Sequence, residues 1–458
     1  MSRAAPLSGF PEYLPDQRIV EQLVLDTVRR VFELHGFASI ETRAVEPLEQ
    51  MLRKGEIDKE VYVLRRLHAP ADEPDAGLGL HFDLTVPFAR YVVQHAGQLE
   101  FPFRRYQIQK VWRGERPQEG RYREFTQADI DVVGRDTLAF HHEVEVALVM
   151  AEVFRALPIP PAVILVNNRK LAEGFFLGAG ATDAGAALRA IDKLEKVGPG
   201  RVAEMLRAEA GLSAEGAELC LRLAGIRSAD TTFVDRVRAL GVTHELLDVG
   251  LAELSAVVAA AAERMPGAVV ADLRIARGLD YYTGTVYETE LVGHEDFGSI
   301  CSGGRYDALA RDARTTYPGV GISLGVSRLM GALLGRELVR ATRSVPTCVL
   351  VVVNDEASRA RSAALADALR GRGIPAEVAP KAAKFGRQIR YADRRGIPYV
   401  WFPGTSDDDP GSVKDIRSGA QQPADPAHWT PPPEDLHPRV ERLGAQALAP
   451  PEDKESTP

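Results

Sequence analysis

Cysteine is scarce in this sequence, and long apolar runs and the commonest phosphate-binding loop are missing. The three cysteines lie far apart and form no C-x-x-C pair, so we expect a reducing compartment, no disulfide framework and no zinc site or other metal-ligand cluster. No stretch of 18 apolar residues is free of charge, and the N-terminus lacks the apolar run of a signal peptide, so we expect a cytoplasmic protein without membrane contact. No G-K-[ST] triplet occurs, which excludes a Walker loop.

Length and composition instead indicate a folded chain of several domains. Its 458 residues exceed the roughly 250–300 at which single cores stop growing, and 45% hydrophobic residues provide ample apolar surface to bury. The net charge of -8 is unevenly distributed: residues 104–123 hold seven basic and two acidic side chains, and residues 344–404 hold ten and five. Two basic islands on an acidic chain favour contact with a polyanion at two places.

Hydrophobic periodicity predicts a mixed first part and a helical second part. We expect an amphipathic helix over 17–36, a strand that ends at Pro47, a long antiparallel hairpin over 100–134 and a helix over 137–157. Strand signals vanish over 168–266, where alanine, leucine, glutamate and arginine dominate, so this segment is expected to be an inserted helical domain.

The last third of the sequence contains two segments with different residue patterns. From Val345, apolar strand-like runs alternate with helical ones over about a hundred residues, which is typical of an α/β domain. Beyond roughly Trp429 the chain is rich in Pro, Asp and Glu, and we expect it to be disordered.

Three segments concentrate arginine, glycine and aromatic residues. Arg113 lies where a predicted strand enters the hairpin turn and could grip a phosphate with its planar fork. In Arg277–Gly284, RGLDYYTG, two adjacent tyrosines on a strand would point to opposite faces, so that one reaches a ligand while the other packs. In 319–333, GVGISLGVSRLMGAL, three glycines could admit a flat ligand, and Arg328 could reach an anionic group or a base.

The third segment also contains G-x-S-x-G at Gly321–Gly325, which raises the alternative of a serine hydrolase. That fold needs an acid and then a histidine after the serine, and only His428 and His437 follow, both in the proline-rich tail. We therefore regard this alternative as weak.

Together, and in this order, the three segments resemble the signature motifs of class II aminoacyl-tRNA synthetases. ARGLDYYTGTVYE and CSGGRYD closely resemble the two motifs of the histidyl-tRNA synthetase family, and HFDLTVPFARY at 81–91 is similar to its amino-acid-binding segment. FGRQIRYADRRGIPYVWFPG is similar to its anticodon-binding domain, so the resemblance covers about 10–430. It implies an α+β fold, an antiparallel sheet flanked by helices, with an inserted helical domain and a C-terminal α/β anticodon-binding domain.

The resemblance also implies domain boundaries. The catalytic domain would comprise residues 1–167 and 267–343, and the inserted helical domain would comprise residues 168–266. The anticodon-binding domain would comprise residues 344–430, and a disordered acidic tail would follow over 431–458.

By resemblance, the enzyme activates L-histidine with Mg·ATP to histidyl-adenylate and then transfers it to tRNA(His). Arg113 would hold the α-phosphate and the substrate carboxylate, Arg277 would contact the α-phosphate from the other side, and Arg328 would meet the nucleotide's tail or adenine. Glu115 would also belong to the ATP site. Mg²⁺ bound mainly through phosphates and water needs few protein ligands.

The resemblance likewise assigns the histidine and tRNA contacts. The α-ammonium group would meet the segment of Asp83, Leu84 and Thr85 together with Gln127, and the imidazole would meet Asp131 and Tyr282, with Tyr281 beside them. The contacts to tRNA are expected from the hairpin turn and from one face of a C-terminal helix, through Arg116, Gln118 and Arg121 and through Lys384, Arg387, Arg390 and Arg394. The strand around Pro47 would build a homodimer.

Two positions depart from the family pattern, and one relative offers an alternative function. Ser327 stands where the third motif usually carries Glu, and Asp83 is one methylene shorter than the usual Glu, which weakens it as a candidate general base. The alternative is a non-catalytic, histidine-binding paralogue that regulates a phosphoribosyltransferase. Such paralogues tend to lose the R-G-L-D-Y-Y segment and the anticodon domain, and this chain keeps both.

Overall fold

A computed structural model of the protein describes residues 5–52, 60–68, 77–276, 281–406 and 409–443. The chain divides into two compact units, one formed by residues 1–11 and 24–336 and the other by residues 12–23 and 337–458. Arg277, one of the three arginines singled out in the sequence, lies outside the described residues.

The described strands are mostly short, and the long ones cluster in the first unit. They are β1 (Ala38–Ser39), β2 (Val45–Pro47), β3 (Leu78–Leu80), β4 (Phe103–Trp112), β5 (Glu124–Val133), β6 (Ala162–Asn168), β7 (Arg227–Ser228), β8 (Val269–Asp272), β9 (Thr285–Leu291), β10 (Cys301–Arg311), β11 (Thr316–Gly325), β12 (Val339–Ala341), β13 (Val349–Val351), β14 (Ala376–Val378), β15 (Tyr399–Phe402), β16 (Ser412–Asp415), β17 (Gln421–Pro423) and β18 (Val440–Arg442).

The described α-helices are spread over both units. They are α1 (Pro15–Leu34), α2 (Leu48–Met51), α3 (Thr85–His95), α4 (His141–Ala156), α5 (Arg169–Gly178), α6 (Ala184–Ile191), α7 (Leu194–Val197), α8 (Pro199–Ala208), α9 (Ala214–Ala224), α10 (Phe233–Arg238), α11 (Glu245–Arg264), α12 (Val326–Gly335), α13 (Arg359–Gly371), α14 (Phe385–Arg394) and α15 (Pro433–Leu436).

A nine-stranded sheet forms the centre of the first unit. Its strand order is β1-β4-β5-β11-β10-β9-β6-β8-β7, and every neighbouring pair is antiparallel except β1 with β4 and β6 with β8. Helix α4 packs on β6 and β11, α12 packs on β5, and α3 packs on β10. The expected α+β fold, an antiparallel-rich sheet flanked by helices, is confirmed.

The long hairpin predicted over 100–134 is the part of the sheet that matters for function. β4 and β5 pair antiparallel over ten residues each, with Arg105 opposite Asp131 and Gln109 opposite Gln127. Alternate residues of a strand face the same side of a sheet, so Gln127 and Asp131 share one face of β5. This hairpin and the helix predicted over 17–36 are confirmed, whereas the helix predicted from Thr137 begins later, at His141.

Residues 169–264 form α5 to α11, as the disappearance of strand signals predicted. The short strand β7, which the sequence did not predict, interrupts them and pairs with β8 at the end of the large sheet. None of the helices in the described part of the chain is long and apolar enough to cross a membrane.

The second unit contains a five-stranded sheet in the order β14-β13-β15-β16-β17. The first three strands run parallel, as the alternation of strands and helices from Val345 predicted. Trp401 and Val349, both fully buried, pack with Leu369 of α13 in one of its cores. In the same unit, β12 and β18 form a separate two-stranded sheet.

The tail predicted to be disordered from 431 is ordered as far as 443, so this part of the prediction was wrong. Arg343, which is 6% exposed, donates hydrogen bonds to the carbonyl oxygens of Asp435 and Leu436 at 2.7 and 2.9 Å. The Asp435 carboxylate accepts two further hydrogen bonds from Arg417 and one from Tyr399, at 2.7 to 2.8 Å. The composition of this segment indicated disorder, and the specific hydrogen bonds that order it cannot be read from composition.

We predict that Asp435→Ala lowers the free energy of unfolding of the second unit by about 1–3 kcal/mol, because three donors lose a charged acceptor. Arg417 holds the pKa of Asp435 below its usual 3.8, so this stabilisation is complete at neutral pH and is lost as the pH falls through the lowered pKa. Denaturant unfolding at several pH values measures both effects. Glu434→Ala, at an exposed neighbour, is the control and should unfold like the wild type.

Candidate active site

Two adjoining cavities open on the hairpin face of the large sheet. The larger has a volume of about 460 Å³, and Arg113, Glu115 and Arg328 are among the residues that line it. The smaller has a volume of about 20 Å³, room for about one water molecule, and lies among side chains of β5, β10 and β11. Ser302 and Ser323 belong to the walls of both cavities, so the two form one continuous cleft.

Arg113 follows the last residue of β4 and is held from several sides. Its Nε donates to the carbonyl oxygen of Phe82 at 3.2 Å, and its guanidinium carbon lies 4.4 and 5.0 Å from the ring centres of Phe82 and Phe125. Burial lowers the pKa of Arg113, against the opposing effect of nearby carboxylates such as Asp83 and Glu115, yet an arginine stays charged at neutral pH. The larger cavity thus contains a fixed, poorly hydrated cation, which suits an anionic ligand.

Arg328 lies in the first turn of α12 and lines the same cavity. Its guanidinium carbon is 4.7 Å from the ring centre of Phe297, and it donates to the carbonyl oxygens of Phe297 and Ser299, each at 2.5 Å. These contacts orient a second planar cation toward the space that Arg113 faces. Two of the three arginines predicted to converge therefore line one cavity.

Ser327, one of the two positions that depart from the family pattern, has a structural role. Its hydroxyl oxygen accepts the backbone N–H of Thr126 at 2.9 Å, and its side chain is buried. This hydrogen bond ties the start of α12 to β5. The orientation of Arg328 is thus supported by a link between helix and strand, in place of the acidic residue expected there.

The hairpin turn carries the residues predicted to contact ATP and tRNA. Gln118 and Arg121 exchange backbone hydrogen bonds, and Gly120 between them has a φ of +65° and packs against Phe297 so closely that a Cβ would lie 2.3 Å from the ring. Arg116 and Gln118 are exposed. Arg121 also lines the larger cavity, 3.7 Å from Glu115, although the sequence analysis assigned it only to tRNA.

The start of α3 places Thr85 at the inner end of the cleft and Asp83, just before the helix, close to Asp129. The Asp83 carboxylate, 4% exposed, accepts the backbone N–H of Val86 at 3.0 Å and so caps the helix. Thr85 lines the smaller cavity, and Leu84 between them is fully buried.

Gln127 stands between the two ends of the cleft. Its side-chain amide donates to the Ser323 hydroxyl at 2.8 Å. Its carbonyl oxygen is buried and accepts no hydrogen bond from any residue in the described ranges. An acceptor without a donor in a cleft is suited to a ligand N–H. Ser323 is also the serine of G-x-S-x-G. It lies within β11 and not on the sharp strand-to-helix turn of a hydrolase.

Asp131 lies in the smaller cavity and is strongly paired. Its carboxylate contacts the Arg105 guanidinium at 2.5 Å and accepts the Tyr306 hydroxyl at 2.7 Å. These two partners satisfy the carboxylate within the protein itself. The pairing with Arg105 could have been predicted from the sequence, because Arg105 lies opposite Asp131 once the two strands of the hairpin are aligned. The contact with Tyr306 could not, because Tyr306 belongs to β10, a strand distant in the sequence.

The two adjacent tyrosines do not point to opposite faces, which corrects the sequence analysis. Tyr281 and Tyr282 precede β9, so strand alternation does not apply to them. Their ring centres are 4.1 Å apart, their hydroxyl groups are hydrogen-bonded at 2.6 Å, and both line the smaller cavity. Burial raises the pKa of Tyr282 well above its usual value, so this residue is a neutral hydrogen-bonding group at physiological pH.

The glycines of β11 make room for the protein's own side chains more than for a ligand. A Cβ on Gly321 would lie 2.1 Å from the Asp131 carboxylate and 2.7 Å from the carbonyl oxygen of Ile130, and one on Gly319 would lie 2.5 Å from the Tyr306 ring. These two glycines therefore fix how Asp131 and Tyr306 approach each other.

Asp129 is a site residue that the sequence analysis missed. It lies on the same face of β5 as Gln127 and Asp131, lines the smaller cavity and is 3% exposed. Burial raises its pKa to about 7. The alternation of strand residues that places Gln127 and Asp131 on one face of β5 also places Asp129 there, so its position could have been predicted from the sequence.

The basic C-terminal helix is oriented as predicted. The Gln388 side chain is buried and exchanges hydrogen bonds with the backbone of Val353, which turns the opposite face of α14 outward. That outer face carries exposed basic residues, namely Lys384 next to the helix and Arg387, Arg390 and Arg394 within it.

Comparisons with known proteins find the same family over most of the chain. The family model described as histidyl-tRNA synthetase matches residues 9–329, and the one described as anticodon binding domain matches residues 347–425. The chain is 63% identical to a histidine--tRNA ligase of Micrococcus luteus, over 96% of this chain and 99% of the relative, and 59% identical to one of Cutibacterium acnes, over 96% and 99%. The crystal structure of a histidyl-tRNA synthetase from Nostoc is similar, with a TM-score of 0.82, 35% identity and coverage of 92% of this chain and 97% of that one.

We predict that Gly321→Ala destabilises the first unit by about 1–3 kcal/mol, because the methyl group must displace the Asp131 carboxylate and a backbone carbonyl. Thermal unfolding measures the loss. Gly335→Ala at the end of α12, where a Cβ meets no atom within 4 Å, is the matched control. Equal melting temperatures for the two variants would contradict the tight packing described here.

Proposed function

The chain belongs to the histidyl-tRNA synthetase family and is an enzyme that attaches L-histidine to tRNA(His) at the expense of ATP, and on that premise we propose how its residues do so. Relatives that match nearly the whole chain carry the ligase name, so the alternative of a non-catalytic regulatory paralogue is not favoured.

We propose that the larger cavity holds ATP. Arg113 would contact the α-phosphate and the histidine carboxylate, and Arg328 would contact the adenine or the outer phosphates. Both steps of the reaction need a nucleophile held in line and negative charge neutralised, and fixed guanidinium groups supply this without a covalent enzyme intermediate. The observation that carries the proposal is the presence of two oriented arginines in one cavity of about 460 Å³ beside a carboxylate-lined pocket. Arg277 keeps its role at the α-phosphate on resemblance alone.

Magnesium would accompany ATP and neutralise phosphate charge when bound. In the described part of the chain, no group of three or more His, Cys, Asp or Glu side chains could hold a metal ion. The larger cavity nevertheless contains the carboxylates of Glu115 and Glu288, hard oxygen donors of the kind that Mg²⁺ prefers. This donor set fits an ion held chiefly by phosphates and water.

We propose that the smaller cavity selects the imidazole. Asp131 would accept one ring N–H, and the Tyr282 hydroxyl, with Tyr281 beside it, would meet the other nitrogen. A pocket that satisfies both nitrogens rejects analogues that lack them, because its own polar groups would then stay buried and unpaired. Since the cavity has room for about one water molecule, the tyrosine pair must shift as the ring enters.

The α-ammonium group would meet Asp83, Thr85 and the unpaired carbonyl oxygen of Gln127. Asp83 caps α3 and is buried among other charges, so we assign it to binding and not to general base catalysis.

We propose two tRNA contacts, since a polyanion is bound chiefly through its phosphates. The hairpin turn with Arg116, Gln118 and Arg121 would meet the acceptor end beside the ATP cavity. The exposed face of α14, with Lys384, Arg387 and Arg390, would meet the anticodon end.

The remaining assignments are also proposals. The domain boundaries are those of the sequence analysis, except that the last domain would begin near residue 337, where the second unit resumes, and extend to at least residue 443, because β12 pairs with β18. A homodimer would form through the strand around Pro47. The cytoplasm fits the three free, buried cysteines.

We predict that Arg113→Ala slows histidine-dependent exchange of pyrophosphate into ATP by about 10²–10³-fold, because a preorganised charge at the phosphate is lost. Arg390→Ala should leave this exchange unchanged and weaken only the charging of tRNA. Each variant is thus the other's control, with melting temperatures to verify folding. Loss of both reactions to the same extent in both variants would contradict the separation of the two sites.

A related prediction concerns Arg277. Its replacement by alanine should nearly abolish adenylate formation and leave tRNA binding roughly intact, measured by pyrophosphate exchange and by filter binding. An equal loss of both would mean that the substitution acts on folding and not on the α-phosphate.

A further inference from the structure

Asp129 is the one carboxylate of the cleft for which neither the family resemblance nor the reaction described above provides a role. It lies in the middle of β5, 3% exposed, and lines the smaller cavity together with Thr85, Asp131 and Ser323. A buried aspartate needs a compensating cation or donor, because an isolated charge in the interior is costly.

One oxygen of Asp129 has no such partner. Its Oδ1 is buried and accepts no hydrogen bond from any residue that the structure describes. By contrast, the neighbouring Asp131 carboxylate is engaged by both Arg105 and Tyr306. The unused oxygen of Asp129 is therefore an acceptor available to a ligand in the cavity.

The charge balance around Asp129 indicates a cationic ligand. Two guanidinium groups face three carboxylates at the inner end of the cleft, those of Asp83, Asp129 and Asp131. Arg105 is committed to Asp131 in an ion pair at 2.5 Å. Once Arg113 binds the α-phosphate and the substrate carboxylate, as proposed above, its positive charge no longer neutralises Asp83 and Asp129. The bound state thus lacks positive charge beside these two carboxylates.

The position of Asp129 along the strand identifies which part of the substrate supplies that charge. Gln127 lies two residues toward the larger cavity, and Asp131 lies two residues toward the tyrosines, a step of about 6.6–6.8 Å in each direction. Under the proposed function, the reacting carboxylate lies at the Arg113 end and the imidazole lies at the Asp131 end. The α-carbon and its ammonium group fall between them, opposite Asp129.

We propose that Asp129 binds the α-ammonium group of histidine and thereby helps to position the amino acid for attack on ATP. This inference rests on the proposed orientation of histidine in the cleft. It adds a second carboxylate to the contacts of Asp83, Thr85 and Gln127, and it gives the enzyme a means to reject analogues of histidine that lack the amino group.

A consequence is that histidine binding is linked to a proton. The pKa of Asp129 is raised to about 7, chiefly by burial, with Asp131 and Asp83 adding to the rise and Arg105 and the Ser323 hydroxyl opposing it. The charged or titratable groups that face Asp129 are Asp83, Arg105, Arg113, Asp131 and Cys301. An ammonium group beside it favours the ionised form, so binding at pH 7 should release about half a proton, and affinity should rise as the pH increases through 7.

The test compares Asp129→Asn with the wild type by calorimetric titration of two ligands. Histidinol keeps the ammonium group and the imidazole, whereas deamino-histidine lacks the ammonium group. We expect the variant to bind histidinol about 10–100-fold more weakly, as for loss of a hydrogen bond to a charged group, and to bind deamino-histidine as the wild type does. Asp367→Asn, which removes an exposed carboxylate on α13, is the matched control and should change neither affinity.

Proton release is measured by repeating the histidinol titration at pH 7 in buffers of different ionisation enthalpy. The wild type should release about half a proton more per site than Asp129→Asn. Equal weakening of both ligands, or equal proton release by the two proteins, would overturn the proposal. Pyrophosphate exchange by the wild type, measured in the same preparation, separates this failure from a failure of the proposed function. Because the proton release of the wild type is measured directly, the proposal stays testable if the variant folds poorly.

Discussion

The antiparallel register of β4 and β5 is the constraint on which the site depends. It places Arg105 opposite Asp131, so that a guanidinium group that is fully buried neutralises a carboxylate that is 4% exposed. Removing either partner of such a buried pair costs about 3–5 kcal/mol, because the other is left as an uncompensated charge. The same register carries Arg113 to the mouth of the cleft and keeps Gln127 and Asp129 on its inner face. A slip of one residue would turn all of them to the other side of the sheet.

The charges of the cleft are segregated along its length, and this segregation matches the substrates. The outer end carries Arg113, Arg121 and Arg328, which complement a triphosphate. The inner end carries Asp129 and Asp131, with Asp83 close to Asp129, and these carboxylates would complement an amino acid with an ammonium group and an imidazole N–H. The carboxylate of histidine and the α-phosphate of ATP are the groups that must react, and in the proposed arrangement they would meet where the two ends join. Positioning and electrostatics are therefore the means of catalysis that this chain offers.

Much of this arrangement could be predicted from the sequence, and the remainder could not for definite physical reasons. Periodicity predicted the hairpin, α1, the helical stretch and the α/β unit, because each depends on local patterns. The pairing of Asp131 with Tyr306 joins strands that are far apart in the sequence, and the stacking of Tyr281 on Tyr282 depends on where β9 begins, so neither could be read locally. The ordered tail depends on hydrogen bonds from Arg343 that composition does not show.

A crystal structure of the enzyme with a non-hydrolysable analogue of histidyl-adenylate tests the central claim most directly. The account predicts the analogue's phosphate within hydrogen-bonding distance of Arg113, its imidazole between Asp131 and Tyr282, and its ammonium group against Asp129. An analogue bound with its phosphate away from Arg113, or with its imidazole outside the pocket of β5, β10 and β11, would contradict it.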